Sequence, residues 1–239
     1  MKIDSYEAVQ IDSNSWRIED KVFRAFLFIG EKKALLVDTT NGPGNLKAVV
    51  ESLTKLPVIL VNTHADGDHI GCNGQFEETL MHPAEFAYYA IKSKEGDAIP
   101  KPILDGEIID IGGRQFEVIF MPGHTCGSIV LLDRKSRILI GGDTILDHVF
   151  IFGQFRNLRA IISSLEHLKN EYWGAFDTIY TSHFAPQADK EFILKELACA
   201  KAHLEGKLEG VDPGPIPLEP PDFRPAKMYQ MDGAAFFDY

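Results

Sequence analysis

The chain has 239 residues, 45% of them hydrophobic, and a formal net charge of −11 from 24 Lys and Arg against 35 Asp and Glu. A chain of this length forms one or two domains, and an apolar content that includes 16 phenylalanines excludes a disordered chain. The acidic balance argues against nucleic acid as a partner, because binding to phosphates requires clustered cations. Three scattered cysteines are too few for a disulfide framework.

The amino terminus gives no sign of export or membrane insertion. Its first 15 residues are polar and acidic, without a basic segment followed by an apolar one. No apolar run in the chain approaches the roughly 18 residues that span a bilayer. The sequence therefore predicts a cytoplasmic protein that has neither a membrane nor a nucleic acid as a partner.

The periodicity of apolar residues predicts alternating strands and helices along most of the chain. Strands are expected at 23–29, 34–37, 58–61, 116–121, 129–132, 138–140 and 178–181. Helices are expected at 45–56, 83–93, 156–170 and 190–205. This alternation is typical of a layered α/β domain.

The composition changes after Gly210. Six prolines in 212–226 predict an extended connector, and the Asp-Gly turn between apolar flanks in 227–239 predicts a terminal hairpin. The chain is thus expected to form one domain at 1–210, followed by a proline-rich arm and hairpin at 211–239. The apolar hairpin needs a surface to cover, either on its own domain or on the partner subunit of a homodimer.

Residues that can bind metals follow directly on several predicted strands. They are His64 and His69 in one loop, and His124, Asp143 and His183 in three others. Because loops at the same edge of a layered α/β domain converge, we expect these side chains to form one composite site.

The densest segment is His-Ala-Asp-Gly-Asp-His at 64–69. It offers four potential ligands, His64, Asp66, Asp68 and His69, and Gly67 is expected to allow a tight backbone between them. Such a segment can hold two divalent ions close together. Imidazole and carboxylate groups suit zinc, iron and manganese, and no thiolate is required.

Together these segments resemble the metallo-β-lactamase superfamily, which includes glyoxalase II, esterase-like and lactonase-like hydrolases and the flavodiiron proteins. The motifs are THADGDHIG, PGHTCGS, GGDT and TSH, in that order, and the resemblance covers residues 23–184. It implies a four-layer αββα sandwich with a dinuclear site at one edge of two sheets. It also implies the metal ligands: His64 and His124 for the first ion, Asp68, His69 and His183 for the second, and Asp143 as the bridge.

One position departs from the family pattern, because Asp66 stands where the second His of the loop is usual. If Asp66 binds the first ion, each ion has two imidazoles and one carboxylate besides Asp143, a set typical of non-haem Fe(II) that zinc and manganese also accept. A carboxylate here also resembles the flavodiiron proteins. The alternative is that Asp66 only hydrogen-bonds to a ligand. We expect two divalent ions, with zinc ahead of iron or manganese.

The resemblance implies a hydrolase that uses a metal-bridging hydroxide to cleave a small ester, lactone or thioester. Asp68 is expected to orient the nucleophile and relay a proton. His148 is expected either to contact the substrate or protonate its leaving group, or to be an ordinary surface residue. An anionic Asp66 makes the site less Lewis-acidic, which predicts an alkaline activity optimum.

The alternative function, which Asp66 favours, is a di-iron redox enzyme that reduces oxygen or nitric oxide or oxidises a thiol. It would draw its electrons from a separate protein. Other residues receive weaker predictions: Arg156 and Arg159 lie on a solvated helix face or hold a substrate anion, and Tyr88 packs in the core or walls a pocket. Cys72 and Cys126 are expected to be small buried residues, and the alternative is a ligand or redox role for a thiol that faces the site.

Overall fold

The computed structural model describes residues 2–3, 5–21, 23–214 and 226–238. Within these ranges the first sheet has eight strands in chain order. They are β1 (Lys2–Ile3), β2 (Tyr6–Asp12), β3 (Ser15–Asp20), β4 (Phe23–Ile29), β5 (Ala34–Val37), β6 (Val58–Val61), β7 (Glu78–Met81) and β8 (Ile99–Pro102).

The second sheet has six strands, in the order β15-β14-β12-β11-β10-β9. They are β9 (Ile108–Asp110), β10 (Gln115–Phe120), β11 (Ile129–Asp133), β12 (Ile138–Ile140), β14 (Thr178–Tyr180) and β15 (Gln187–Asp189). A small third sheet consists of β13 (His148–Phe150), β17 (Ala234–Asp238) and β16 (Lys227–Met231). The helices are α1 (Leu46–Leu53), α2 (Gly67–Ile70), α3 (Phe86–Lys92), α4 (Leu158–Tyr172) and α5 (Phe192–Leu204).

The layers follow from side chains that alternate between the two faces of each strand. Phe26 and Phe28 of the first sheet point between the sheets, where the ring of Phe28 lies 4.9 Å from that of Phe116 in the second. The opposite face of the first sheet packs against α1, and that of the second packs against α4 and α5. The predicted four-layer αββα sandwich is therefore confirmed. None of the described helices has the length and apolarity needed to cross a membrane.

Most predicted elements agree with the structure to within one to three residues, and the differences have local causes. Helix α4 begins at Leu158 because Asn157 caps it, accepting a hydrogen bond from the Ala160 amide at 3.0 Å. Helix α1 ends at Leu53 because the backbone of Thr54 is extended. The expected helix at 83–93 is a 3₁₀ turn followed by α3. The strands β1 to β3 and several short strands were not predicted.

The strand directions bring the predicted ligands to one edge. Strand β5 is parallel to β6, and β12 is parallel to β14, while two antiparallel pairings through β11 give β10 the same direction as β12. The carboxyl ends of these strands therefore lie together in each sheet. All loops that carry predicted ligands leave from these ends.

Residues 227–238 form a hairpin that packs on its own chain. Asp232 and Gly233 both have positive φ, which closes a tight turn, and β17 pairs in parallel with β13. Phe236 is fully buried in the core between the second sheet and its helices. The connector expected in 212–226 lies outside the described residues between 215 and 225.

We predict that Phe236→Ala lowers the free energy of unfolding by about 3–5 kcal/mol, the usual cost of emptying a buried aromatic site. Urea denaturation measures it. Ile91→Ala is the control, since Ile91 is 64% exposed and its loss should cost about 0.5 kcal/mol or less. A loss below 1 kcal/mol for Phe236→Ala would show that the hairpin is not part of the core.

Candidate metal centre

The seven predicted ligands lie at one edge of the sandwich in two groups. The first group is His64, Asp66 and His124, and the second group is Asp68, His69, Asp143 and His183. In each group the potential ligand atoms all lie within 4.8 Å of one another. The four histidines and Asp143 are buried, whereas Asp66 and Asp68 are partly exposed. His148 belongs to neither group.

The loops reach the site through local features of their sequences. Asp66 has extended backbone and precedes α2, the single helical turn that carries Asp68 and His69. A side chain at Gly67 would meet no atom within 4 Å and its φ is not positive, so the backbone of this loop does not require glycine at that position. Gly123 is required instead: its φ is +146, and a Cβ there would lie 2.5 Å from the Ile161 amide nitrogen.

In the first group, Asp66 Oδ2 lies 3.3 Å from His64 Nε2 and 3.0 Å from His124 Nε2. The Thr63 hydroxyl donates its only proton to Asp38 Oδ2 at 2.8 Å, so it can only accept from His64 Nδ1 at 3.0 Å. The unprotonated Nε2 of neutral His64 therefore faces a carboxylate oxygen with no hydrogen between them.

His124 is oriented in the same way. Its Nδ1 donates to the Phe150 carbonyl oxygen at 2.9 Å, which leaves Nε2 of the neutral ring as an acceptor facing Asp66. The position of Phe150 therefore decides which nitrogen of His124 is available to the first group.

In the second group, His69 Nδ1 donates to Asp38 Oδ2 at 2.8 Å, so the Nε2 of neutral His69 also faces inward. That Nε2 lies 3.2 Å from both His183 Nε2 and Asp143 Oδ1. His183 Nε2 in turn lies 3.2 Å from Asp68 Oδ2 and 3.2 Å from Asp143 Oδ2. Acceptor atoms thus converge here as well.

This donor set fits divalent cations. Among the described residues, His64 Nε2 and Asp143 Oδ1 are buried without a hydrogen-bond partner, a costly state that a cation between the acceptors would relieve. Ligands about 2.0–2.1 Å from a tetrahedral ion lie roughly 3.3 Å from one another. The contacts between ligand atoms in the two groups, from 3.0 to 3.6 Å, are close to that separation.

The electrostatics of the second group are those of a cation site. Although burial lowers the pKa of His69, Asp143 and then Asp38 raise it well above its ordinary value. Burial also lowers the pKa of His183, but Asp143 and Asp68 raise it to about 10. Protons therefore occupy this group when no metal does, and they compete with metal binding.

Two buried carboxylates that support the site were not predicted. Asp38, which follows β5, accepts from His69 Nδ1, the Thr63 hydroxyl and the Thr63 amide, the last at 2.7 Å. It ends a strand as the predicted ligands do, so the same sequence signal could have found it. Glu85 accepts from the amides of Ala65 and Gly127 at 3.0 and 2.7 Å, which ties two ligand loops together. No sequence signal points to Glu85.

Two further side chains contact Asp66. Arg156 Nη2 lies 2.5 Å from Asp66 Oδ2, and the Tyr88 hydroxyl donates to Oδ1 at 2.6 Å. Burial raises the pKa of Asp66, but the Arg156 guanidinium and then His124 hold it well below its usual range. Arg156 is therefore mostly buried in the site, not on the solvated helix face that the sequence favoured.

The remaining candidates lie at the margin or away from the site. The His148 ring is 4.8 Å from the ring of Phe184, which follows His183 in the chain. Cys72 is buried on the outer face of the first sheet, 3.2 Å from the Tyr6 hydroxyl. The Cys126 thiol donates to the Ala84 carbonyl oxygen at 3.0 Å. Neither thiol belongs to the two ligand groups.

Comparison with known proteins gives a family match. Residues 24–197 match the model of the family described as the metallo-beta-lactamase superfamily. The chain is 30% identical over 187 residues to a probable metallo-hydrolase of Methanocaldococcus jannaschii, covering 66% of this chain and 86% of that protein.

Two relatives, one named as a thioesterase and the other as a hydrolase, match over shorter segments. The chain is 34% identical over 118 residues to acyl-coenzyme A thioesterase MBLAC2 of Gallus gallus, covering 38% of this chain and 43% of that protein. It is 32% identical over 126 residues to hydroxyacylglutathione hydrolase of Gloeobacter violaceus, covering 50% and 48%. The chain thus spans about half the length of these relatives.

Solved structures agree with the fold. The metallo-beta-lactamase from Pontibacter korlensis superposes with a TM-score of 0.68 at 21% sequence identity, covering 82% of this chain and 99% of that one.

Asp143→Ala is expected to lower metal content at both groups, because Asp143 belongs to the second group and its Oδ2 also lies 3.8 Å from His124 Nε2 of the first. Elemental analysis of the purified protein, loaded with zinc and then desalted, measures it. Asp147→Asn is the control, a neighbouring carboxylate outside both groups. Retention of two ions per chain by Asp143→Ala would refute the bridging assignment.

Zinc affinity is expected to rise with pH from about 6.5 towards 10, because His183 must lose its proton to bind metal. The stability of the metal-free protein should change in the opposite sense. The pKa of His183 is raised by folding, so its contribution is present below pH 6.5, the unfolded value, and is lost as pH rises through 10. Chelator competition and urea titrations across this range measure both. A zinc affinity that is flat with pH would contradict the assignment.

Proposed function

We propose, since the chain belongs to the metallo-β-lactamase superfamily, that it is a dinuclear metal-dependent hydrolase that cleaves a small ester, lactone or thioester. The observation that carries the proposal is the pair of ligand groups at one edge of the sandwich, with acceptor atoms facing one another. Zinc is the first metal to test, because two imidazoles and a carboxylate are a common catalytic zinc set.

Among the three substrate classes, thioesters have the most support. Two of the relatives are named as an acyl-coenzyme A thioesterase and a hydroxyacylglutathione hydrolase, and both names denote hydrolysis of a thioester. These matches cover only about half of each relative, so they support the class of bond and not a particular substrate.

The bound ions would supply Lewis acidity, polarising the acyl carbonyl and lowering the pKa of a water molecule. The chain's own residues would position the reactants. Asp68 is the most exposed carboxylate of the two groups at 21%, and its Oδ2 lies 3.2 Å from His183 Nε2. From there it can accept a proton from water and hold that water beside the acyl carbon.

Aromatic side chains lie beside both groups. The rings of Tyr88 and Phe155 lie 5.0 Å apart beside Asp66, and Phe184 lies beside His183 and His148. These side chains can hold an apolar acyl or leaving group against the site. His148 is partly exposed there, and we assign it the donation of a proton to the departing sulfur or oxygen.

The ligand set of the first group also suits non-haem iron, which keeps a di-iron redox enzyme as the second candidate. Metal analysis of protein purified without added metal separates the two. Two irons with an oxygen-sensitive visible spectrum would refute the hydrolase. Two zincs with thioester turnover would refute the redox enzyme.

Asp68→Asn is expected to lower kcat for thioester hydrolysis by about 10²–10⁴-fold, the usual contribution of a positioned acid or base. The metal content should fall by a smaller factor than kcat, since the Asn side chain keeps one oxygen that can bind the metal. The assay compares acyl-coenzyme A, S-acylglutathione, aryl ester, lactone and β-lactam substrates with zinc-loaded protein. Glu95→Gln, which alters an exposed carboxylate, is the control. Zinc-loaded protein that cleaves only the β-lactam, or none of the five, would contradict the proposal.

A further inference from the structure

The carboxylate of Asp66 is held from outside its group by two donors. Arg156 Nη2 lies 2.5 Å from Oδ2, and the Tyr88 hydroxyl lies 2.6 Å from Oδ1. The Arg156 and Asp66 side chains are only 11% and 14% exposed, so solvent screens this ion pair weakly. Oδ2 nevertheless faces the Nε2 atoms of His64 and His124, as a ligand atom would.

The residues on either side of Arg156 hold its guanidinium in position. Phe155 has a φ of 69, a left-handed conformation that a bulky residue rarely adopts, and its ring packs against Tyr88. The next residue after Arg156 is Asn157, whose amide donates to the Gly123 carbonyl oxygen at 2.8 Å. The Arg156 loop is therefore fastened to the segment that carries His124, and both sides of Arg156 are fixed.

We propose that Arg156 is a positioning residue that lets Asp66 replace a neutral histidine in the first group. The guanidinium cancels the charge of the carboxylate, so the three ligands and Arg156 together carry the same formal charge as three neutral imidazoles. In a buried site an unmatched charge changes cation affinity strongly, because the effective dielectric constant is low. This inference concerns metal binding and does not depend on the substrate or the reaction.

The pairing changes two expectations from the sequence. Asp66 no longer adds a net negative charge to the first group, which removes the reason to expect an alkaline activity optimum. Nor is the guanidinium available for a substrate carboxylate or phosphate, because its charge is already opposed by Asp66, and Nη1 donates to the Gln154 carbonyl oxygen at 3.3 Å.

The test is a double-mutant cycle on zinc affinity, measured by chelator competition on metal-stripped full-length protein. The binding step that disappears in His124→Ala identifies the first group. Asp66→His should weaken that step about ten-fold or more, because Arg156 then faces zinc without a counter-charge. Asp66→His combined with Arg156→Met should recover wild-type affinity to within about three-fold, because it leaves three imidazoles and no extra cation.

Two matched variants separate charge from structure. Asp66→His with Arg156→Lys keeps the positive charge and should bind zinc as weakly as Asp66→His alone. Asp66→His with Arg159→Met removes an exposed arginine three positions away and should also bind as weakly. Thermal melts of the metal-free variants check that each is folded.

Several results would overturn the proposal. If the effects of Asp66→His and Arg156→Met on zinc affinity add to within about two-fold, Arg156 does not compensate Asp66. If Asp66→His alone tightens the first step, Asp66 is not a ligand that depends on Arg156. If Arg159→Met rescues Asp66→His as well as Arg156→Met does, the effect comes from the net charge of the protein and not from the pair. Each readout stands whether or not the protein hydrolyses thioesters.

Discussion

The site depends on where three buried imidazoles place their Nδ1 protons. His64 donates to Thr63, His69 to Asp38 and His124 to the Phe150 carbonyl, all outside the two ligand groups. Each Nε2 is therefore left facing carboxylate oxygens, an arrangement that is repulsive unless a proton or a metal cation lies between the two atoms. Asp38 fixes two of the three orientations, since it takes both the His69 proton and the Thr63 hydroxyl proton.

The third orientation depends on the end of the chain. The Phe150 carbonyl belongs to β13, which pairs with β17 of the terminal hairpin, and the Ile151 amide donates to the Phe237 carbonyl at 3.0 Å. The Phe150 and Phe237 rings also stack with centroids 4.7 Å apart. Residues beyond the 24–197 segment that matches the family thus hold the backbone that orients His124.

Local patterns in the sequence predicted the alternating strands and helices and the candidate ligands at strand ends, whereas the four layers were implied by the family resemblance. Short apolar runs mark strands such as β4 and β5, and each predicted ligand follows a strand end or lies in the loop after one. The residues that hold the ligands in place could not be predicted from local patterns. Asp66 meets Tyr88 and Arg156, which lie 22 and 90 residues away along the chain, so only tertiary packing brings them together. The strands β2 and β3 were not predicted because their many polar residues conceal the alternation of buried and exposed positions.

The charges explain how such a site can be buried. The imidazoles contact four carboxylates, those of Asp38, Asp66, Asp68 and Asp143. Among the ion pairs of the described residues, the permanent positive charge at this site comes from Arg156. Unpaired carboxylates are costly to bury. The negative charge that Arg156 does not neutralise must therefore be neutralised by cations that bind in the folded site. Protons on His69 and His183 meet part of it, and divalent ions match it more fully. A share of the net charge of −11 is therefore located in this site and not on the surface.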